Sequence, residues 1–267
     1  MEEIISKSNT NVKFVHSLND KKSRQKNNAF YLEGIKVVNE LLDKAIDVKF
    51  IAYSKSILLN SNGGKELLSR LEKQTKIKVL NFEQSIFRYV TDTVNPQGVL
   101  AVLDIPNYDL RNVLDDKNVL ILDKVQDQGN FGTIIRSSQA FNIDVIVCTL
   151  GTADAYSPKT LRSTMGTILN TKIIYIENVE ELKVLKENGY KIVTTSLNTN
   201  NSSDTLDYVN NKYAFVMGNE ANGVSEEVEK LSDTLVKIPM SDKVESLNVG
   251  VATSIILYEQ YKAKYYK

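Results

Sequence analysis

A single cysteine, Cys148, is all the thiol this chain carries. One thiol closes no internal disulfide and builds no cysteine-based zinc cluster. Its setting, Asp144-Val-Ile-Val-Cys-Thr149, is strand-like, so it reads as a small buried core residue. Histidine is as scarce: His16 stands alone, in a basic amphipathic segment, as a surface or boundary residue, and hydrolysis built on histidine is disfavoured. There is no catalytic triad, no metal-ligand spacing and no G-x-G-x-x-G after a strand. No apolar run is long enough to span a membrane and nothing resembles a signal peptide, which places the chain in the cytoplasm with no membrane partner.

Net charge is missing too. The 33 Lys+Arg balance 33 Asp+Glu, which does not suit a protein that coats nucleic acid. The distribution is uneven, however. Residues 1–110 hold 16 Lys+Arg against 13 Asp+Glu and the remainder 17 against 20, so the two parts carry +3 and −3. The early excess is concentrated in Lys13, Lys21, Lys22, Arg24 and Lys26, which face only Asp20. Such a cluster serves either phosphate contacts or a plain solvated helix face, and charge alone favours the second.

What the chain does have is alternation of strand-like and helix-like runs. Phe30-Tyr-Leu32, Val48–Tyr53, Lys78–Phe82 and Gly98–Leu103 read as strands, with helical spacing over Gly34–Lys44 and residues 64–74. Proline and polar residues interrupt the periodicity at Ile105-Pro-Asn-Tyr-Asp-Leu-Arg111. Beyond it, near-continuous apolar strands at 118–123, 144–149, 171–176, 191–196, 213–217 and 234–238 alternate mostly with helices, the pattern of a largely parallel sheet covered on both faces. The expected organisation is an α/β domain over 1–105, a linker over 106–116 and a second α/β domain over 117–267.

The chemistry is concentrated in the second domain. Phe215-Val-Met-Gly-Asn-Glu-Ala-Asn-Gly223 is a buried strand emptying into a glycine-bounded loop, the backbone needed for close approach to a ligand. Leu235-Val-Lys-Ile-Pro239 is a short strand stopped by proline, and Ser246-Leu-Asn248 opens the last helix, Val249–Tyr265, with capping-type residues. Earlier, Asp123-Lys-Val-Gln-Asp-Gln-Gly-Asn-Phe-Gly-Thr-Ile-Ile-Arg136 follows a strand, with Asn130 placed to cap a helix and Arg136 about two turns into it. Ligands of open α/β sheets bind beyond the carboxyl ends of strands, where these loops lie.

Together the three segments resemble the signature motifs of the TrmH (SpoU) branch of the SPOUT RNA methyltransferases, over about 150 residues. The first half resembles that branch's small ribosomal-protein-like RNA-binding domain, whose Phe-x-x-Glu-Gly element stands here as Phe30-Tyr-Leu-Glu-Gly34. The resemblance implies an α/β trefoil knot, a bent S-adenosylmethionine held by the backbone around Leu197, Gly218, Ile238 and Leu247, and a homodimer formed through the C-terminal domain. It implies no metal. Two departures stand out: Gln128 where the motif has proline after aspartate, and Thr167 where alanine is usual.

The implied reaction is transfer of a methyl group to a ribose 2′-hydroxyl of structured RNA, ribosomal ahead of transfer RNA, with no DNA partner. The implied site residues are Asn130, Arg136, Glu220, Ser246 and Asn248. Arg136 is expected to orient the adjacent phosphate and stabilise the 2′-oxygen, since a guanidinium does not lose its proton. Asn130 is expected to hold Arg136, and Glu220 to pair with Arg136 or organise the cofactor loop. Ser246 and Asn248 position the ribose or simply cap the last helix. The alternatives are a tRNA ribose or RNA base methyltransferase of the same fold, or a catalytically silent RNA-binding factor.

Overall fold

A computed structural model describes residues 2–114 and 118–266 of the chain. Residues 115 and 116 of the expected linker, and the limits Met1, Lys117 and Lys267, lie outside the described residues. Two compact units form: one runs to Pro106 and includes Tyr156–Arg162, the other comprises Asn107–Ala155 and Ser163 onward. Among the described residues no helix is long and apolar enough to cross a membrane.

The first unit is a mixed sheet with helices packed on it. Its strands are β1 (Glu3–Ile4), β2 (Ala29–Glu33), β3 (Phe50–Tyr53), β4 (Val79–Phe82) and β5 (Val99–Asp104), in the order β1-β4-β3-β5-β2. β5 runs antiparallel to both β2 and β3. One core gathers Val12 and Val15 from the first helix and Leu18 at its C-cap with Ile86, Phe87 and Val90 from the helix Gln84–Val90, over Tyr31, Phe50 and Leu100 of the sheet. Burying each such large side chain contributes roughly 1.5–3 kcal/mol. The helices Thr10–Ser17, Lys21–Asn27, Lys55–Leu59 and Gln84–Val90 have no more than eight residues each, too few for their apolar period to stand out in the sequence.

The second unit is the parallel sheet expected from its apolar runs. Strands β6 (Val119–Leu122), β7 (Val145–Cys148), β8 (Lys172–Tyr175), β9 (Tyr190–Thr195), β10 (Lys212–Met217) and β11 (Thr234–Val236) line up as β11-β9-β10-β6-β7-β8. Every pairing is parallel. Val119-Leu-Ile-Leu122 and Val145-Ile-Val-Cys148 are fully buried, as strands covered on both faces must be. One of these faces packs on Leu182, Leu185 and Val228, and also on Leu110, Val113 and Leu114. The stretch expected as a linker therefore belongs in large part to the second core. Apolar residues at 110, 113 and 114 have the i, i+3, i+4 spacing of a buried helical turn, which the nearby Pro106 and polar neighbours obscured.

Candidate active site

A cavity of about 610 Å³ opens beyond the carboxyl ends of the neighbouring strands β11, β9 and β10, within the second unit. Its wall includes Leu197 after β9, Gly218 after β10, Ile238 after β11 and Leu247 before the last helix, so the four residues expected around the cofactor line one space. A volume of this size falls in the ordinary range for small-molecule sites, ~300–1,000 Å³. Glu220, Glu229 and Glu245 line it against a single lysine, Lys237. That acidic balance suits a cationic sulfonium ligand, and the apolar wall of Leu197, Ile238 and Leu247 suits a purine ring.

The loop from Gly218 to Val224 is held from within. Asn219 and Gly223 exchange two backbone hydrogen bonds of 2.9 Å, and Asn219 Oδ1 accepts from the N–H groups of Ala221 and Asn222. Asn219 Nδ2 donates to the Lys124 carbonyl at 2.8 Å. Below the loop, fully buried Asp123 accepts from the Thr149 hydroxyl at 2.7 Å and from the Ser225 N–H at 2.6 Å. Asp123 and Asn219 are supports not foreseen as such; the cue was a carboxylate directly after an apolar strand, where nothing but a fixed partner makes burial tolerable.

Glu220 joins this loop to the start of the helix Gln128–Ala140. Its carboxylate accepts from the backbone N–H groups of Gln126 and Asp127 at 3.2 and 3.1 Å and from Asn130 Nδ2 at 3.1 Å. Asn248 Nδ2 in turn donates to Asn130 Oδ1 at 2.9 Å, while Asn248 Oδ1 caps the last helix by accepting from Gly250 and Val251 N–H. The amide orientations in this chain are fixed by chemistry. An ionised carboxylate only accepts, so Asn130 must turn its NH₂ to Glu220 and its oxygen to Asn248. Burial pushes the Glu220 carboxyl up, but the bonds from Asn130, Gln126 and Asp127 outweigh it and hold the group below the usual carboxylate range.

Three expectations need correction. The helix N-cap is Asp127, whose side chain accepts from the Asn130 N–H at 2.7 Å; Asn130 sits in the first turn and is free to bridge Glu220 and Asn248. Of the two roles expected of Glu220, the pairing with Arg136 is not formed; its carboxylate instead ties the cavity loop to Gln126, Asp127 and Asn130. Asn130 does not hold Arg136 either. Six residues apart on a helix means about 9 Å of rise and about 120° of turn, which puts the two side chains on different faces. Arg136 is exposed and makes no hydrogen bond or ion pair among the described residues. Ser246 lines the cavity without a side-chain hydrogen bond, and Arg136 does not line it. The structure thus brings together Asn130, Glu220 and Asn248, and leaves Arg136 apart. Cys148 is fully buried in β7, and burial pushes its thiol up, away from the reactive range.

Comparison with known proteins agrees with this geometry. Residues 117–258 match the model of the SpoU rRNA methylase family, and residues 9–101 match the MRM3-like substrate binding domain. The 23S rRNA (guanosine(2553)-2′-O)-methyltransferase RlmP of Bacillus subtilis is 32% identical over 258 residues, covering 97% of this chain and 98% of that protein. The 23S rRNA (guanosine-2′-O-)-methyltransferase RlmB of Nitrosomonas europaea is 31% identical over 221 residues, covering 78% of this chain and 84% of that one. An AdoMet-bound rRNA methyltransferase structure from Sinorhizobium meliloti superposes with a TM-score of 0.85 at 28% identity, over 98% of this chain and 97% of that chain. The fold is that of an α/β-knot RNA methyltransferase that uses S-adenosylmethionine. The chain belongs to the SpoU rRNA methylase family.

Proposed function

We propose that this protein methylates a ribose 2′-hydroxyl of large-subunit ribosomal RNA, in the cytoplasm and as a homodimer. The observation that carries the reading is the Glu220–Asn130–Asn248 chain at the cavity rim, which ties the cavity loop, the Gln128–Ala140 helix and the last helix to one another. The named relatives act on 23S rRNA ribose, which favours ribosomal over transfer RNA and ribose over base. S-adenosylmethionine supplies the electrophilic methyl group when bound. The backbone around Leu197, Gly218, Ile238 and Leu247 holds it, and Glu220 keeps the cavity loop in place.

Arg136 is the residue left for the RNA. Unpaired and exposed, it is available to a phosphate and to the developing charge on the 2′-oxygen, the two partners a planar guanidinium fork addresses together. It acts as a fixed positive charge and not as a base, because its proton is not lost in the physiological range. Ser246, unbonded at the cavity wall, positions the ribose, and Asn248 positions Asn130 while capping its helix. Residues 1–105 form the RNA substrate-binding domain, and the methyltransferase domain begins after the Pro106 boundary. Dimerisation through the last helix is supported by Val251, Tyr258 and Tyr265, exposed apolar residues at seven-residue intervals on one face.

The test is the site of the label. Methyl transferred to RNA from cells lacking the gene is expected on ribose, leaving the 3′ linkage alkali-resistant. Arg136→Ala is expected to lower turnover severely with unchanged cofactor affinity, as for a group acting in the transition state. Label on a base nitrogen, or near-normal turnover of Arg136→Ala, overturns the reading.

A further inference from the structure

The first unit carries an aromatic and basic surface that the cavity chemistry does not use. The ring of His16, the chain's one histidine, stacks on Tyr89 with centroids 4.1 Å apart and planes 13° from parallel. His16 Nδ1 lies 3.0 Å from the Tyr89 carbonyl oxygen. A carbonyl only accepts, so Nδ1 is the donor, and this bond together with the stack fixes the ring in place. One turn on, Asn19 Nδ2 donates to the Val90 carbonyl at 3.0 Å, and Asn19 Oδ1 accepts from the Tyr31 hydroxyl at 2.7 Å. The end of the first helix is thus stitched to the helix Gln84–Val90, and the His16–Tyr89 stack is rigid although His16 is exposed.

Positive charge surrounds this stack. Lys7 Nζ stands 4.3 Å from the centre of the Tyr89 ring. Lys13 shares the His16 face of its helix at i, i+3 spacing, and Arg88 adjoins Tyr89. Lys13 and Arg88 are exposed and make no ion pair among the described residues. The helices Thr10–Ser17 and Gln84–Val90 contain no carboxylate at all. The nearest in sequence are all occupied: Glu83 and Asp20 as helix caps on Ser85 and Ser23 N–H, and Asp92 by Arg162 at 3.2 Å. A fixed, exposed aromatic ring flanked by uncompensated cations is the arrangement that takes an unpaired base by stacking and its phosphates by charge.

Resting on the proposed RNA methyltransferase reading, we propose that His16 and Tyr89, with Lys7, Lys13 and Arg88, form the RNA-docking surface of the first unit, and that it takes an unpaired nucleotide of the substrate. An unpaired base stacks on the outer face of His16 while Lys7, Lys13 and Arg88 meet the phosphates on either side of it. The substrate is accordingly read at a loop or bulge, where bases are available to stack, as well as at the nucleotide that is modified.

The test uses the full chain and protein-free 23S rRNA transcript, with affinity measured across a salt series and cofactor affinity measured by calorimetry on the same samples. His16→Ala is expected to weaken RNA binding at least about fivefold, the lower end of base–aromatic stacking, and His16→Phe to restore most of it. Lys7→Glu, Lys13→Glu and Arg88→Glu combined are expected to flatten the salt slope by about 2, at ~0.7 per phosphate contact on single strands. Cofactor affinity stays at the parent's value in all of them. Unchanged RNA affinity and slope with intact cofactor binding overturns the proposal. So does normal binding of free RNA with a loss confined to assembled ribosomal particles, which makes the surface a protein contact. Should His16→Ala lose its fold, Lys13→Glu alone, at an exposed unpaired position, decides on the same criteria. A parent protein that neither binds S-adenosylmethionine nor labels RNA refutes the enzymatic reading instead.

Discussion

Replacing Gly218 with alanine tests how the cavity loop is built. Gly218 is buried at the end of β10, and a Cβ there would stand 2.3 Å from the carbonyl carbon of Gly223, 2.4 Å from Val224 N and 2.6 Å from Gly223 O. Carbon atoms prefer ~3.5–4.0 Å, so the backbone on one side has to retreat by about 1 Å. β10 cannot give, because Met217 is paired with Leu122 and its carbonyl accepts from the Asp123 N–H. The Asn219–Val224 loop gives instead, and Glu220 loses bonds that are already 3.1–3.2 Å long. Overpacking costs ~1–3 kcal/mol and each lost hydrogen bond ~0.5–1.5 kcal/mol. A total of about 3 kcal/mol lowers the unfolding midpoint by roughly 6–12 °C for a unit of this size. Cofactor binding falls with it, because the cavity wall moves, and not because the methyl group reaches the ligand. Gly223→Ala is the control. Nothing lies within 4 Å of its Cβ, but its φ of +70° costs about 1 kcal/mol, so the midpoint drops only ~2–4 °C. Scanning calorimetry and titration calorimetry on both variants decide the matter. A Gly218→Ala protein within 2 °C of the parent (about 1 kcal/mol) and with parental cofactor affinity refutes the reasoning, as does a Gly223→Ala protein that is the less stable of the two.

Asn248 separates capping from positioning. Asn248→Ala removes the helix cap and costs about 1 kcal/mol, whereas Asn248→Asp keeps the cap acceptor and loses the donor to Asn130, so stability returns in thermal unfolding while turnover does not. The Glu220 carboxyl lies below the usual range, so its contribution is complete above the unfolded value near ~4.3 and is lost as pH falls through the lower folded value. Cofactor affinity of the parent is therefore expected to stay level from about pH 8 to 5 and to fall only in stronger acid, while Glu220→Gln is weaker throughout by titration calorimetry. Cys148, buried and with its thiol pushed up, is expected to resist thiol-disulfide reagents in the folded protein and to react at once on unfolding, followed by absorbance of the released thiol.

The order in which these features became visible follows from the physics of each. Parallel strands buried on both faces have to be apolar along their whole length, so β6, β7 and β10 stand out in the sequence as unbroken runs. Short helices and the two-residue β1 carry too few residues to show a period, and they emerge only from packing. The loops at Gly218 and Ile238 were legible as polar exits from apolar strands, whereas Leu197 came from the family resemblance; the three follow β9, β10 and β11, which are neighbours in the sheet. What the sequence could not say is which polar side chain touches which. Asn130 and Arg136 share a helix, and the family resemblance implied that one holds the other. Helical rotation separates them, and Asn130 finds its partners 90 and 118 residues away. The consequence is mechanistic. A guanidinium held by Asn130 would already be oriented before RNA arrives, whereas an unpaired Arg136 would be ordered by the substrate's own phosphate. On the role proposed for Arg136, substrate binding completes the site, and a poorly fitting RNA fails to order the charge proposed to stabilise the transition state.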